Sequence, residues 1–242
     1  MKYMGSKSRI AKHLLLFMIK HLDGSNRYIE PFVGGCGMME NVGYGKRIGN
    51  DSNPYLIGMW KLLQSGEQMP YTIDRDMYSK YREFYHRSKN EVDEYDLIDI
   101  GMCGWVGFMG SFNGRFYDGG YSGHVVNGRD YISENIRNTL NTARFVNDVE
   151  FICGDYADLE IIPGDVVYVD PPYKGTKQYA YSKNFDYERL YRWIRDLKSK
   201  GAKVFMSEYD APDDFKVVWE SDVKTCLNLT KTKMVKEKLF EI

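Results

Sequence analysis

The chain has little of what would mark a special environment. Only four cysteines stand among 242 residues, Cys36, Cys103, Cys153 and Cys226, far apart and without a C-x-x-C pair. That spacing argues against a dense disulfide framework and predicts reduced thiols in a cytoplasmic protein. The four histidines, His13, His21, His86 and His124, complete no ligand pattern with them, so no metal site is expected. Neither sign of charge dominates: 33 Lys and Arg against 34 Asp and Glu leave a formal net charge of −1. A general electrostatic attraction to nucleic acid is therefore not implied. No apolar run approaches membrane-spanning length, so no membrane partner is expected. Within HLLLFMIKHL near the start the run is six residues, and no small-residue cleavage site follows, which argues against a signal peptide. Internal repeats and low-complexity tracts are absent as well.

What the chain does have is aromatic. Phe, Trp and Tyr make up 15% of it, with 20 tyrosines; most such rings pack in cores, though some can offer faces for stacking bases. Basic charge is local, nine Lys and Arg against three acids between Lys174 and Lys203, part of it the solvated face of a helix. A hydrophobic fraction of 43% over this length suits one α/β domain carrying an insertion. Ile10, Leu14, Phe17, Met18 and Leu22 fall at helical spacing, with Ser6 or Ser8 as N-cap. Strands are expected at 27–32, 46–51, 149–155, 165–170 and 202–209, with a terminal pair beyond Phe215 and a helix over 186–200. Strands alternating with helices predict a doubly wound, mostly parallel sheet, interrupted near 60–145. Inside that interruption, Gly101–Gly128 reads as too rich in glycine for a helix and too long for a simple connection, and long loops of this kind are usually functional.

Two stretches carry chemistry. Phe32-Val33-Gly34-Gly35-Cys36-Gly37 is a glycine turn after the first strand, without the full G-x-G-x-x-G spacing because Glu40 stands at the third glycine position. Asp51 closes the next strand, where an acid can take the hydroxyls of a bound ribose. The second stretch is Asp170-Pro171-Pro172-Tyr173, ending the apolar run Val166–Val169. Proline at 171 holds Asp170 extended, and neither proline can donate to a strand ladder, so pairing stops there. A carboxylate and a ring are left on a stiff turn at the carboxyl end of a strand. That arrangement suits methyl transfer to a planar amino group. The lone pair of an exocyclic amine of adenine is delocalised into its ring. Two acceptors for its N–H bonds, the Asp170 carboxylate and the Pro171 carbonyl, would favour a pyramidal nitrogen, while Tyr173 stacks on the base.

With these motifs the chain resembles the Dam-type DNA adenine-N6 methyltransferases of phages and bacteria, over nearly its whole length and in the order glycine motif, recognition insert, DPPY. The resemblance implies a Rossmann-like class I methyltransferase fold and S-adenosyl-L-methionine as cofactor. It implies a catalytic domain made of 1–59 and 146–242, with a mainly helical target-recognition subdomain at 60–145. Tyr3 and Lys7 of YMGSK, Phe32, Gly34 and Gly35 inherit cofactor roles. Asp51 is matched to the ribose, Asp155 and Tyr156 of GDY to the cofactor adenine, and Asp170 to the catalytic tetrapeptide it shares with Pro171, Pro172 and Tyr173. The partner implied is double-stranded DNA, with the adenine flipped out at a cost of about a few kcal/mol. SFNGRFYDGGYSG matches the recognition stretch of enzymes that read GATC only loosely, so the target sequence does not carry over. Asn113, Arg115, Tyr121 and Arg129 are its candidate base contacts, and Lys174 and Lys177 of the loop after Tyr173 are candidate backbone contacts.

Other readings keep the cofactor but change the acceptor to RNA adenine, cytosine N4 or a glutamine amide. Asp170 favours adenine N6, since Ser tends to stand there for cytosine and Asn for glutamine. A catalytically inactive DNA-binding relative is disfavoured because every expected position is filled. A nicotinamide oxidoreductase has no use for DPPY. The sequence assigns neither a recognition site nor a cognate restriction endonuclease.

Overall fold

A computed structural model describes residues 1–43, 45–125, 127–174, 184–228 and 231–242. Seven strands, β1 (Tyr28–Glu30), β2 (Arg47–Asp51), β3 (Glu150–Cys153), β4 (Val166–Val169), β5 (Lys203–Glu208), β6 (Lys216–Asn228) and β7 (Lys231–Glu241), form one sheet in the order β3-β2-β1-β4-β5-β7-β6. Among the described residues six α-helices accompany them: α1 (Ala11–Met18), α2 (Pro54–Gln64), α3 (Arg75–Ser88), α4 (Leu97–Gly110), α5 (Tyr131–Ala143) and α6 (Tyr187–Ser199). None of the described helices is long and apolar enough to cross a membrane. The doubly wound α/β expectation holds, with β7 entering antiparallel between β5 and β6. The chain divides into two compact units: Met1–Ala11, Val33–Gly43 and Gly49–Gly154 form the first, and Lys12–Phe32, 44–48 and Asp155–Ile242 the second.

In the second unit β4 is buried along its whole length, as a run of Val and Tyr covered on both faces should be. It pairs in parallel with β1 (Tyr28↔Val166) and with β5 (Val167↔Val204). The strand order reverses between β1 and β4, and open α/β sheets bind ligands at the carboxyl ends of strands beside such a switch. The residues that follow β4 there are Asp170 through Tyr173. Helix α6 starts where Asp186 caps it, its carboxylate accepting from the Arg189 N–H at 2.9 Å. It buries Leu190, Tyr191, Ile194 and Leu197 and stops before Gly201, whose φ of +91° suits a C-terminal reversal.

The first unit corrects one expectation. Gly101–Gly110 is not loop but the buried end of α4. Glycines recur there every three residues, at 101, 104, 107 and 110; Gly101 and Gly104 let α4 approach α2 closely, while Gly107 and Gly110 leave room for the rings of Phe116, Tyr117 and Tyr78. A Cβ on Gly101 would stand 2.8 Å from the Gly58 carbonyl oxygen, and one on Gly104 would overlap the Tyr55 carbonyl oxygen. Low helix propensity is outweighed by burial, a tertiary effect that a local reading misses. Gly104→Ala should therefore cost about 3 kcal/mol or more through overpacking against backbone, read as a lower urea midpoint with unchanged slope. Beyond α4 the glycine-rich loop does begin: Ser111 bridges Tyr121, and the Tyr117 N–H and the Tyr78 hydroxyl both bond the Ser111 hydroxyl, at 2.9 and 3.0 Å. Ser6 and Ser8, expected as helix caps, bond each other at 2.9 Å, and α1 begins later, at Ala11.

Candidate active site

The first unit holds the glycine turn and Asp51. Gly34 takes φ +49°, and its N–H donates to Asp51 Oδ2 at 3.2 Å. Asp51 Oδ1 accepts from the Asn53 N–H at 3.0 Å, and Asn53 in turn caps α2. The Trp60 indole N–H donates to the Gly34 carbonyl at 3.1 Å, fixing the turn from beneath. Burial pushes the Asp51 carboxyl up to about 6, against the backbone N–H bonds from Asn53, Gly34 and Ser52 that lower it. Tyr3 lies over the glycines: a Cβ on Gly34 or on Gly35 would stand 2.7 Å from its side chain. The first motif and the glycine turn are thus one constellation, and only glycine leaves room for it. Lys7 is buried, with Nζ donating to the Gly5 carbonyl at 3.0 Å.

The candidate recognition residues of this unit divide. Asn113 is exposed at φ +55° on the loop after α4, with half-buried Arg115 beside it. The Tyr121 hydroxyl donates to the Ile73 carbonyl at 2.8 Å and its ring meets Tyr78, which places it as an anchor of that loop. Arg129 forms an exposed bidentate pair with Glu134, Nε donating to Oε2 at 3.1 Å and Nη2 to Oε1 at 2.9 Å.

The second unit holds the tetrapeptide and an aromatic cluster. Asp170 is half-buried immediately after β4. The Pro172 carbonyl accepts from the Tyr187 hydroxyl at 2.7 Å, and the Tyr173 hydroxyl donates to the Glu237 carboxylate. Lys174 is exposed, with its Nζ 6.0 Å from the Tyr187 ring centre; Lys177 lies outside the described residues. Phe32 packs on Tyr156 at 5.3 Å and on Phe185 at 5.7 Å, and Tyr156 meets Trp193 edge-on at 5.0 Å. Asp155 forms a bidentate pair with Arg189 at 2.7 and 3.1 Å, whose guanidinium also covers the Tyr156 ring. Partial burial pushes the Asp155 carboxyl up, but the bonds from Arg189 and the Ala157 N–H hold it below its ordinary range.

Sequence reading passed over the acids around this turn. Glu30, Glu208 and Glu237 are all buried. Glu208 accepts from the Lys174 N–H at 3.2 Å and from the Tyr209 N–H at 2.8 Å. Burial, with the charges of Asp170 and Glu237 added, pushes it up to about 7. Glu30 and Glu208 did carry a signal, since each ends a strand at the carboxyl edge of the sheet. Glu237 carried none, lying in a run of alternating Lys and Glu that reads as solvated surface. Phe185 and Trp193 likewise became part of a site only through their packing on Tyr156.

In the first unit the acid at the end of β2, its carboxylate already aligned by two backbone N–H groups, suits the hydroxyls of a ribose; in the second, the cluster of rings beside Asp155 suits the face of a base. A model of the D12 class N6 adenine-specific DNA methyltransferases matches residues 3–238. The DNA N-6-adenine-methyltransferase of Escherichia phage P1 is 28% identical over 231 residues, which cover 88% of this chain and 30% of that protein. The type II methyltransferase M1.LlaDCHI of Lactococcus lactis subsp. cremoris is 26% identical over 238 residues, 87% of this chain and 81% of its relative. The retron Ec67 DNA adenine methylase of Escherichia coli is 27% identical over 230 residues, 87% and 76% of the two chains. This chain therefore spans less than a third of the phage P1 protein and about four fifths of the other two. Because the match runs from Tyr3 to Lys238, through the glycine turn, Asp51 and the DPPY turn alike, the chain belongs to the D12 class of N6 adenine-specific DNA methyltransferases.

Proposed function

We propose that the protein transfers a methyl group from S-adenosyl-L-methionine to N6 of an adenine flipped out of duplex DNA. The observation that carries the reading is the DPPY turn, half-buried at the carboxyl end of the central strand beside the strand-order switch, in a chain of this family. When bound, the cofactor supplies a methyl group on an electron-poor sulfonium. Asp51 would hold the ribose hydroxyls, Asp155 and Tyr156 would flank the adenine, and Tyr3, Lys7 and Phe32 would complete the cofactor side with Gly34 and Gly35.

The protein's own work is on the amine. Asp170 and the Pro171 carbonyl accept its two N–H bonds and localise the lone pair on nitrogen. The proline at 171 limits the backbone angles available to that carbonyl, so the acceptors are aligned before the base arrives. Tyr173 covers the face of the extruded base. Asn113 and Arg115 lie on a loop tied down through Ser111 and Tyr121, and they would read base edges. The experiment is transfer of labelled methyl to duplex DNA followed by modification-sensitive sequencing, which reports the atom and the site together. Methyl recovered on cytosine N4 or only in RNA would overturn the acceptor.

Lys174 and Lys177 are proposed to meet the phosphates beside the flipped base. The double variant Lys174→Ala with Lys177→Ala should lower the salt slope of DNA binding by about 2, roughly one counterion per lysine. An unchanged slope in a fluorescence-anisotropy titration across salt would remove both residues from the interface.

A further inference from the structure

Tyr173 is held from its far end as well as by its place in the chain. Its ring is 9% exposed, it meets Tyr209 edge-on at 4.7 Å, and its hydroxyl donates to the Glu237 carboxylate. Glu237 is 5% exposed on β7, a strand paired on both sides, with Glu237 opposite Ser221 on β6 and Lys238 opposite Glu208 on β5. Strand alternation puts Glu237 on the face of Leu239 and Ser207, away from Lys238. The carboxylate thus stands on backbone that cannot easily shift. Burying a carboxylate is unfavourable unless it is hydrogen-bonded, and a phenol hydroxyl gives it a charge-assisted bond. Burial, with Asp170 and Glu237 adding their charges, raises the Tyr173 hydroxyl well above its ordinary range, so it stays a donor. Glu208 grips the same turn, accepting from the amides of Lys174 and Tyr209, the residue after Tyr173 and the residue packed against its ring.

We propose that Glu237 is a positioning residue for methyl transfer: through the Tyr173 hydroxyl it sets the angle of the ring that covers the flipped adenine. This rests on the reading of the site as adenine-N6 transfer. A ring hinged only at Cβ can swing about two torsions, and the bond at its hydroxyl removes that freedom. Alignment of the base is then lost without loss of DNA contacts, so the effect falls on kcat and not on KM.

The test uses Glu237→Ala, Glu237→Gln, Tyr173→Phe and the Tyr173→Phe/Glu237→Ala double variant, on a duplex that the wild-type protein methylates. Glu237→Ala and Tyr173→Phe should each lower kcat by about 10- to 100-fold, with KM for DNA and cofactor affinity little changed. Glu237→Gln keeps an acceptor and should restore most of the rate. The double variant should be no slower than either single, because one bond is removed twice. With 2-aminopurine at the target position, fluorescence quenched by the stacked ring should rise in both single variants. Wild-type kcat and fluorescence in Glu237→Ala, with only a lowered melting temperature, would make the residue structural and overturn the proposal. Additive losses in the double variant would do the same. Should Glu237→Ala fail to fold, full kcat in Tyr173→Phe overturns the proposal by itself. Wild-type protein without transfer to adenine would sink the functional reading, and the role of Glu237 with it.

Discussion

Asp170→Ala is expected to lower kcat for methyl transfer by about 10²–10³-fold, the usual loss when one preorganised hydrogen-bonding group is removed from a developing charge. The amine then keeps one acceptor, the Pro171 carbonyl, and its lone pair remains delocalised in the base. Cofactor affinity should stay within about twofold, since a ribose held at Asp51 does not depend on the acceptor at 170; each such hydrogen bond to a charged group contributes about 1.5–3 kcal/mol. Burial, with the negative charge of Asp170 adding to it, raises the titration of Tyr28, Tyr168, Tyr173 and Glu208 around it. Glu208, pushed up to about 7 chiefly by burial, should titrate lower once Asp170 is gone. Single-turnover transfer and calorimetric cofactor binding separate these effects. Undiminished turnover in the variant would remove the mechanism.

Cofactor binding should be pH-dependent through Asp51. Its carboxyl titrates near 6 in the cofactor-free protein, raised by burial, and ribose hydroxyls are better donors to a carboxylate than to a neutral acid. Affinity should then be flat above about pH 7 and about tenfold weaker at pH 5, where roughly a tenth of the group is ionised. Asp51→Asn should bind about 10- to 100-fold more weakly at pH 8 and lose the pH dependence. The same shift has a stability sign. A carboxyl whose folded value lies above its unfolded value favours the fold at low pH, and that contribution is lost as pH rises from about 4 to about 6, by at most about 3 kcal/mol. Asp51→Asn should flatten that segment of the stability profile. A wild-type dissociation constant that does not change between pH 5 and pH 7 would remove Asp51 from the ribose site.

The parts of this protein that could be read in advance are those set by neighbouring residues. DPPY was legible because its two prolines end the strand and hold Asp170 extended directly after β4. Asp51 was legible because it ends a strand at a fixed distance beyond a glycine turn. The helix α4 was not, because its glycines are explained only by what presses on them, the backbone of α2 at Gly101 and Gly104 and the rings of Phe116, Tyr117 and Tyr78 at Gly107 and Gly110. Arg129 was an attractive base reader in sequence, yet it pairs with Glu134 five residues on. Tyr121 reads as a contact residue and is found anchoring its loop to Ile73.

By itself the sequence determined the alternating α/β order, the strand-end acids and the stiff turn after β4, since each is written in local pattern and backbone restriction. Tertiary structure alone decided that Tyr3 covers the glycine turn and that Phe185 and Trp193 join Tyr156. It also decided that the carboxylate gripping Tyr173 comes from 64 residues further along the chain. Burial and strand pairing choose such partners, and neither leaves a trace in the spacing of residues along the chain.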